Sequence, residues 1–331
     1  MAENSLLLIK RPEDLFPGDP AQAKQLFHDL ALKWHPDRNK GRDEVFKHIK
    51  QLYEDGVAKM ESGAWEGSGE LHLLMPAKCG IPYIKSKPFD LGRMYIADDC
   101  VVYVVEKRYE DLFNHGLAMA QTCEFASPRM CEEMERYLPT TAKAHLTKDG
   151  KLAMRVRKTS DLILLRDVLD YYGGAIESRH VAWIQSSLHN LACYLSWAQV
   201  SHNDISPDTY FISPQHHGGA LLGGWWYATT FDRRIEKLPQ RTYRLLPWEV
   251  QKTKLASPQI DLELVRATGK ELLGKAKNIP DPMAAWFRGV ASKDAVSEYG
   301  SWKDHVLTSS FGARRFVVMN LTAETLYKAP H

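Results

Sequence analysis

Apolar residues recur at helical spacing in two neighbouring stretches near the start of the chain. Leu26, Phe27, Leu30, Ala31 and Trp34 fall at i, i+1, i+4, i+5 and i+8, a single stripe along one helix. Asp19 is placed as an N-cap with Pro20 at the first helical position, so the spacing predicts a helix over 20–34. Pro36 ends it, because proline lacks an N–H and disfavours helical φ/ψ in the residue before it. A second stripe, Val45, Phe46, Ile49, Leu52 and Tyr53, predicts a helix over 42–60 whose positive end is faced by Asp43 and Glu44. Two antiparallel helices can zip these stripes together and leave His35-Pro36-Asp37 on an exposed loop between them. Upstream, Leu6–Ile9 is expected as a strand before the turn-rich run from Pro12 to Pro20.

The small-residue run Ser62-Gly63-Ala64-Trp65-Glu66-Gly67-Ser68-Gly69 reads as a boundary, giving domains over 1–65 and 81–331 joined by a linker over 66–80. Trp65 is placed to pack back on either neighbour. Residues 81–106 then alternate as β-structure, with Leu91–Ile96 and Val101–Val105 separated by a turn at Ala97-Asp98-Asp99. Helices are expected at Tyr109–Gln121 and Ser127–Leu138, and strands at Ala142–Leu146 and Leu152–Val156 around the turn Thr147-Lys148-Asp149-Gly150. From Asp161 the pattern is mostly helical. Its clearest helix is Ser178–Val200, where Val181, Ile184, Leu188, Leu191 and Leu195 are spaced 3, 4, 3, 4.

The segment from Ala23 to Asp55 resembles the central two helices of a J domain, the module by which DnaJ-type co-chaperones act on DnaK-type chaperone ATPases. Its signature tripeptide stands here as His35, Pro36 and Asp37, after Leu30-Ala31-Leu32-Lys33-Trp34 and before Phe46-Lys47-His48-Ile49-Lys50. The resemblance implies a chaperone-binding face made of His35, Pro36 and Asp37 with the cations Lys24, Lys33 and Arg38. Two departures stand out. Glu13-Asp14-Leu15-Phe16-Pro17-Gly18 replaces the family's Tyr-rich opening helix, and His28 and Asp29 thin the basic face.

A second resemblance begins after the long helix. Ser201-His202-Asn203-Asp204-Ile205-Ser206-Pro207-Asp208-Thr209 is similar to the catalytic loop of a protein kinase. In order after it come Leu221-Leu222-Gly223-Gly224, where the DFG turn would lie; Pro247-Trp248-Glu249, similar to the end of the activation segment; and Asp261, leading a helix that resembles αF. This implies an α+β chain with a small helical J-like hairpin, then a two-lobed kinase-like domain with a β-rich N-lobe and a helical C-lobe. Phosphoryl transfer needs metal ions held on the phosphates. Here the DFG aspartate position is glycine, the catalytic-loop asparagine position is Thr209, and the neighbouring lysine position is Ser206. The Gly-rich loop keeps only Gly92, and no lysine stands in Val102–Val105. Losing so many parts removes most of the electrostatic stabilisation of the reaction. The resemblance therefore implies a pseudokinase in which His202, Asp204, Asp261 and Glu249 are structural. Glu249 is expected to be paired inside the helical lobe with Arg288, Arg314 or Arg315. The alternative is an atypical Ser/Thr kinase using Asp204 as base with ATP and Mg²⁺, for which Asp208 and Asp232 would be substitute metal ligands.

Composition narrows the partners. With 331 residues, 44% hydrophobic and 25% charged, and a net charge of +2, the chain reads as globular with no dedicated nucleic-acid surface. No apolar run reaches the about 18 residues of a membrane span, and no signal-peptide layout opens the chain. The five cysteines are scattered without a CxxC pair, which fits free thiols in the cytoplasm and no metal site. His216-His217 and the pairs Arg233-Arg234 and Arg314-Arg315 read as loop features. The combined expectation is a co-chaperone, itself no enzyme and without cofactor. It would engage a DnaK-type chaperone through the His35 loop, while its second domain binds a client or partner. A chaperone-sequestering decoy is the further alternative.

Overall fold

A computed structural model describes residues 3–38, 43–75, 78–231, 233–312 and 316–328. The chain divides into two compact units. The first takes Met1–Arg108 and Ala144–Arg155 with the chain end from Tyr327; the second takes Tyr109–Lys143 and Val156–Leu326.

The first unit opens with three helices, α1 (Glu3–Leu7), α2 (Pro20–Trp34) and α3 (Asp43–Glu61). Where Leu6–Ile9 was expected as a strand, the burial is helical. Leu6 and Ile9 are buried while Leu7 and Leu8 are exposed, a three-residue spacing that the two-residue period of a strand cannot produce. Asp19 caps α2 by accepting from the Gln22 N–H at 2.8 Å, with Pro20 in the first turn. Helices α2 and α3 pack through Ala23, Trp34, Val45, Ile49 and Leu52, and Leu6, Ile9, Leu15 and Phe16 close the other side. Polar ties reinforce the packing: His48 Nε2 lies 2.7 Å from the Ile9 carbonyl, and Lys59 Nζ is 2.7 Å from a buried Glu13 oxygen.

Phe46 was placed on the buried stripe, yet it is half-buried, whereas Ile49, three residues on, is fully covered. Ile49→Ala should therefore cost about 2–5 kcal/mol, the usual range for emptying a packed aliphatic site, and Phe46→Ala clearly less. Urea unfolding of both variants checks this, and equal losses would place Phe46 in the core after all.

The same unit contains a six-stranded barrel: β1 (Gly69–Met75), β2 (Cys79–Phe89), β3 (Gly92–Ala97), β4 (Cys100–Val105), β5 (Lys143–Thr147) and β6 (Leu152–Arg157). The strand order is β1-β2-β3-β4-β6-β5, closed by antiparallel pairing of β1 with β5 at Leu73–Thr147. Its core holds Leu73, Ile81, Cys100, Val102, Val104 and Ala153. Closure leaves no sheet edge exposed to pairing. The segment 66–80, expected as a linker, supplies β1. Trp65 does pack back, into the helical core, with its indole N–H donating to the Ser68 carbonyl at 3.1 Å. Its own carbonyl accepts from Ser86 Oγ of β2 at 2.5 Å and from the Arg93 guanidinium of β3. A Cβ on Gly18 would overlap that indole, so glycine there lets the chain pass.

The second unit mixes helices with short sheets. Its helices are α4 (Glu110–Gln121), α5 (Pro128–Met134), α6 (Leu165–Tyr171), α7 (Ser178–Trp197), α8 (Gln240–Leu245), α9 (Trp248–Thr253), α10 (Pro258–Leu273), α11 (Asp281–Arg288) and α12 (Ala295–Ser301), followed by a π-helical segment at Trp302–Leu307 and short α-helices at Thr308–Phe311 and Ala323–Lys328. Among them run β7 (Ile163–Leu164), β8 (Val200–Ser201), β9 (Tyr210–Ser213), β10 (Gly218–Leu221) and β11 (Thr229–Thr230), paired as β10-β9-β7 and β11-β8. Helix α7 is buried on most sides and packs on α10 and α12.

The two-lobed protein-kinase-like architecture is thus not the fold. A closed antiparallel barrel stands where a β-rich N-lobe was expected, and helices are mixed with short sheets where a helical C-lobe was expected. The motif order misled because each motif is short, whereas closure depends on β1, which was read as linker. No helix among the described residues is long and apolar enough to cross a membrane. All five cysteines are free.

Candidate functional site

Trp34, the last residue of α2, is buried and pins the helix end, and Pro36 forces His35 into extended geometry with ψ 136. The chain then reverses within four residues. The Arg38 N–H donates to the His35 carbonyl at 2.9 Å, a β-turn with Pro36 in the position that proline's fixed φ favours. The Asp37 N–H donates to His35 Nδ1 at 3.3 Å, and the Asp37 carboxylate lies 3.5 Å from the same nitrogen. The His35 ring also meets the edge of Phe46, centroid to centroid 5.8 Å. The imidazole is therefore held between its own turn and the helix opposite, yet 48% of the His35 side chain and 90% of that of Asp37 remain open to solvent.

The cations assigned with this turn do not form one face. Lys33 sits beside it, its Nζ 5.9 Å from the Trp34 ring, and Arg38 reaches back to the Leu32 carbonyl at 3.4 Å. Lys24 is nine residues before Lys33. At about 100° per residue that separation places it on the opposite side of α2, about 14 Å along the axis. The turn thus gathers His35, Asp37, Arg38 and Lys33 but not Lys24. The signal for Phe46 as the shelf under His35 was present in the sequence. Val45, Ile49, Leu52 and Gly56, all buried, repeat at 4, 3, 4, and Phe46 is one residue out of phase.

In the second unit, the 201–209 loop is held from below by Asp261 at the start of α10. One carboxylate oxygen accepts from the His202 N–H at 2.7 Å and the other from the Asn203 N–H at 2.9 Å. Burial pushes the Asp261 carboxyl up to about 7, against the pull of these donors. His202 is fully buried and near the Gly223 carbonyl, 3.0 Å from Nε2, while the Asp204 N–H donates to its Nδ1 at 3.2 Å. Burial lowers its pKa to about 3, so the ring is neutral. Asn203 adopts φ 66, and its side-chain amide donates to the Tyr227 carbonyl at 2.8 Å. Gly224, at φ 84, lies against His202 and Asp204, where a Cβ would collide with both.

Asp204 is half-buried beside Gly224. Thr209 turns its hydroxyl onto the Asp204 carbonyl at 2.6 Å. Asp208 is gripped by both arms of Arg166 at 2.9 Å, and Arg166 also holds Glu271 at 2.6 Å. Asp232, Arg314 and Arg315 lie outside the described residues. Glu249 does not make the internal ion pair expected of it. It is 58% exposed and pairs with Lys293 at 2.6 Å, while Arg288 is also exposed. The first turn of α9 carries it outward. Among the described residues of this unit, Arg266 and Glu298 form a buried pair, which no local pattern announced.

The chain is 29% identical over 107 residues to human (Homo sapiens) DnaJ homolog subfamily A member 4. The match covers 29% of this chain and 26% of that protein, so the chain spans about a quarter of that relative's length. No family model matches. The similarity supports at most a J-domain kinship, and it lends nothing to a kinase-like domain.

Proposed function

We propose that this protein is a co-chaperone that engages a DnaK-type chaperone ATPase through the turn His35-Pro36-Asp37. The observation that carries this reading is the turn's construction. A buried Trp34 and a β-turn closed by Arg38 hold His35 in place while His35 and Asp37 stay open to a partner. A small rigid contact of this kind acts by binding one state of a two-state machine better than the other. The chemistry belongs to the chaperone, and the second unit selects the client or partner. Consistent with that division, the Thr209 hydroxyl is committed to its own loop and Asp208 to Arg166, so neither is disposed as a metal ligand for phosphoryl transfer.

Single-turnover ATP hydrolysis by a DnaK-type chaperone, with and without the full chain, is the test. The wild-type chain is expected to accelerate hydrolysis. His35→Gln should abolish the acceleration without shifting the melting curve, since His35 is half open and outside the apolar stripe. Acceleration that survives this substitution at full strength would remove the turn from the mechanism. The placement of Lys24 and Lys33 on opposite sides of α2 favours one further reading, a chain that binds the chaperone without accelerating it. Binding with no change in the hydrolysis rate is its signature.

A further inference from the structure

The second unit carries an apolar groove with a cationic rim that neither the turn at His35 nor the 201–209 loop uses. Its volume is about 710 Å³, and its walls come from Ile235, Leu238, Tyr243, Leu246 and Val250. The floor is tied by backbone: the Ile235 N–H donates to the Lys254 carbonyl and the Ala256 N–H to the Arg233 carbonyl, both at 2.9 Å. The groove is therefore a fixed feature of the unit. Tyr243, one of its walls, is 62% exposed, and Trp248, two residues before the lining residue Val250, is 71% exposed. Such a concentration of exposed apolar surface is a mark of an interaction site.

The charges around the groove are one-sided. Arg234, Lys237 and Lys254 line it, with Glu236 as the one acid among its lining residues. Lys254 lies over the Tyr243 ring at 5.9 Å and Lys252 over Trp248 at 5.3 Å. The acid nearest to them in sequence, Glu249, is already taken by Lys293. Among the described residues, Arg234, Lys237, Lys252 and Lys254 have no carboxylate within ion-pair distance. A second groove, of about 500 Å³, shares Arg234, Glu236 and Lys237 with the first and adds Arg233 and His115, with Asp111 as its one further acid. The surface thus runs on past one pocket, farther than a compact small molecule needs.

From this arrangement we infer that the groove binds an acidic peptide segment of a partner protein. One or two apolar side chains would seat against Leu238, Tyr243 and Val250, and flanking carboxylates would meet Arg234, Lys237 and Lys254. The apolar walls supply affinity and the rim supplies sign and orientation. A nucleic acid strand would use the cations and the exposed rings but leave the aliphatic floor without a role. The inference stands independently of what the His35 turn does.

The test uses the full chain and three labelled synthetic dodecapeptides followed by fluorescence anisotropy. One alternates Glu with Leu and Phe, one replaces each Glu by Lys, and one replaces each Leu and Phe by Ser. A labelled twelve-nucleotide oligodeoxythymidine is the fourth probe. The acidic apolar peptide is expected to bind, to weaken as salt rises, and to bind better than the other three. Arg234→Glu with Lys237→Glu should weaken it by about tenfold or more, as charge reversal at a complementary rim does. Tyr243→Ser should weaken it at unchanged salt dependence. All three positions are exposed, so the fold is not at stake. Equal binding of the lysine peptide, tighter binding of the oligonucleotide, no binding of the acidic peptide, or indifference to the substitutions would each overturn the inference.

Discussion

Asp261→Ala is expected to destabilise the second unit by about 2–6 kcal/mol, because it strands two buried backbone donors at about 1–3 kcal/mol each. The His202 and Asn203 N–H groups have the Asp261 carboxylate as their partner, at 2.7 and 2.9 Å, and all three residues are buried. Asn203 cannot simply relax, since its positive φ is sustained by its amide on the Tyr227 carbonyl and by Thr242 Oγ1 donating to its own carbonyl at 2.6 Å. Asp261→Asn keeps one acceptor and should lose less. It also isolates a pH effect. A carboxyl pushed up to about 7 from 3.8 favours the folded state while protonated, so its contribution fades as pH rises from about 4 to 7. His202 and His189, lowered to about 3 and 4 from 6.5, work the other way, and their contribution is lost as pH falls below 6.5. Urea midpoints across pH 4–8 should therefore show Asp261→Asn losing the low-pH advantage while the acid-side decline remains. A profile identical in shape to wild type would mean that the Asp261 carboxyl is not shifted.

What could be read from the sequence was what depends on neighbours along the chain. The α2–α3 hairpin, its Asp19 cap and the Pro36 stop follow from spacing and local sterics, and so do strands β2 to β6 and helix α7. The first failure was Leu6-Leu7-Leu8-Ile9. Four apolar residues in a row carry no period, and the burial of Leu6 and Ile9 is decided by α3. The second was β1. Gly69-Glu70-Leu71-His72-Leu73-Leu74-Met75 follows a glycine-rich run and pairs on one side with β2, next in the chain, and on the other with β5, more than seventy residues later. The pairing with β5 closes into a barrel what was expected as the β-rich lobe of a two-lobed domain. The turn at His35 was legible because its chemistry is contiguous, but its support by Phe46 and the separation of Lys24 from Lys33 required the helix phase.

Arg266→Met is expected to cost about 3–5 kcal/mol, the penalty for leaving one charge of a buried pair without its partner. Arg266 Nε lies 2.6 Å from Glu298 Oε1, with 9% and 2% of the two side chains exposed. Each charge has further support. The guanidinium donates to the Trp286 carbonyl at 2.6 Å and lies 3.7 Å from the Trp286 ring centroid, while Glu298 Oε2 accepts from the Ser292 N–H at 2.9 Å. The pair therefore joins α10, the end of α11 and α12 around one satisfied network, with Gly289 closely packed against the guanidinium. If pairing is the issue, the double substitution Arg266→Met with Glu298→Met should cost less than the sum of the single ones, since no charge is then left alone. Unfolding free energies of the two single variants and the double variant close the cycle. A double variant that simply adds the two single losses would mean that the charges do not sense each other, and the network would then owe its stability to packing around Trp286.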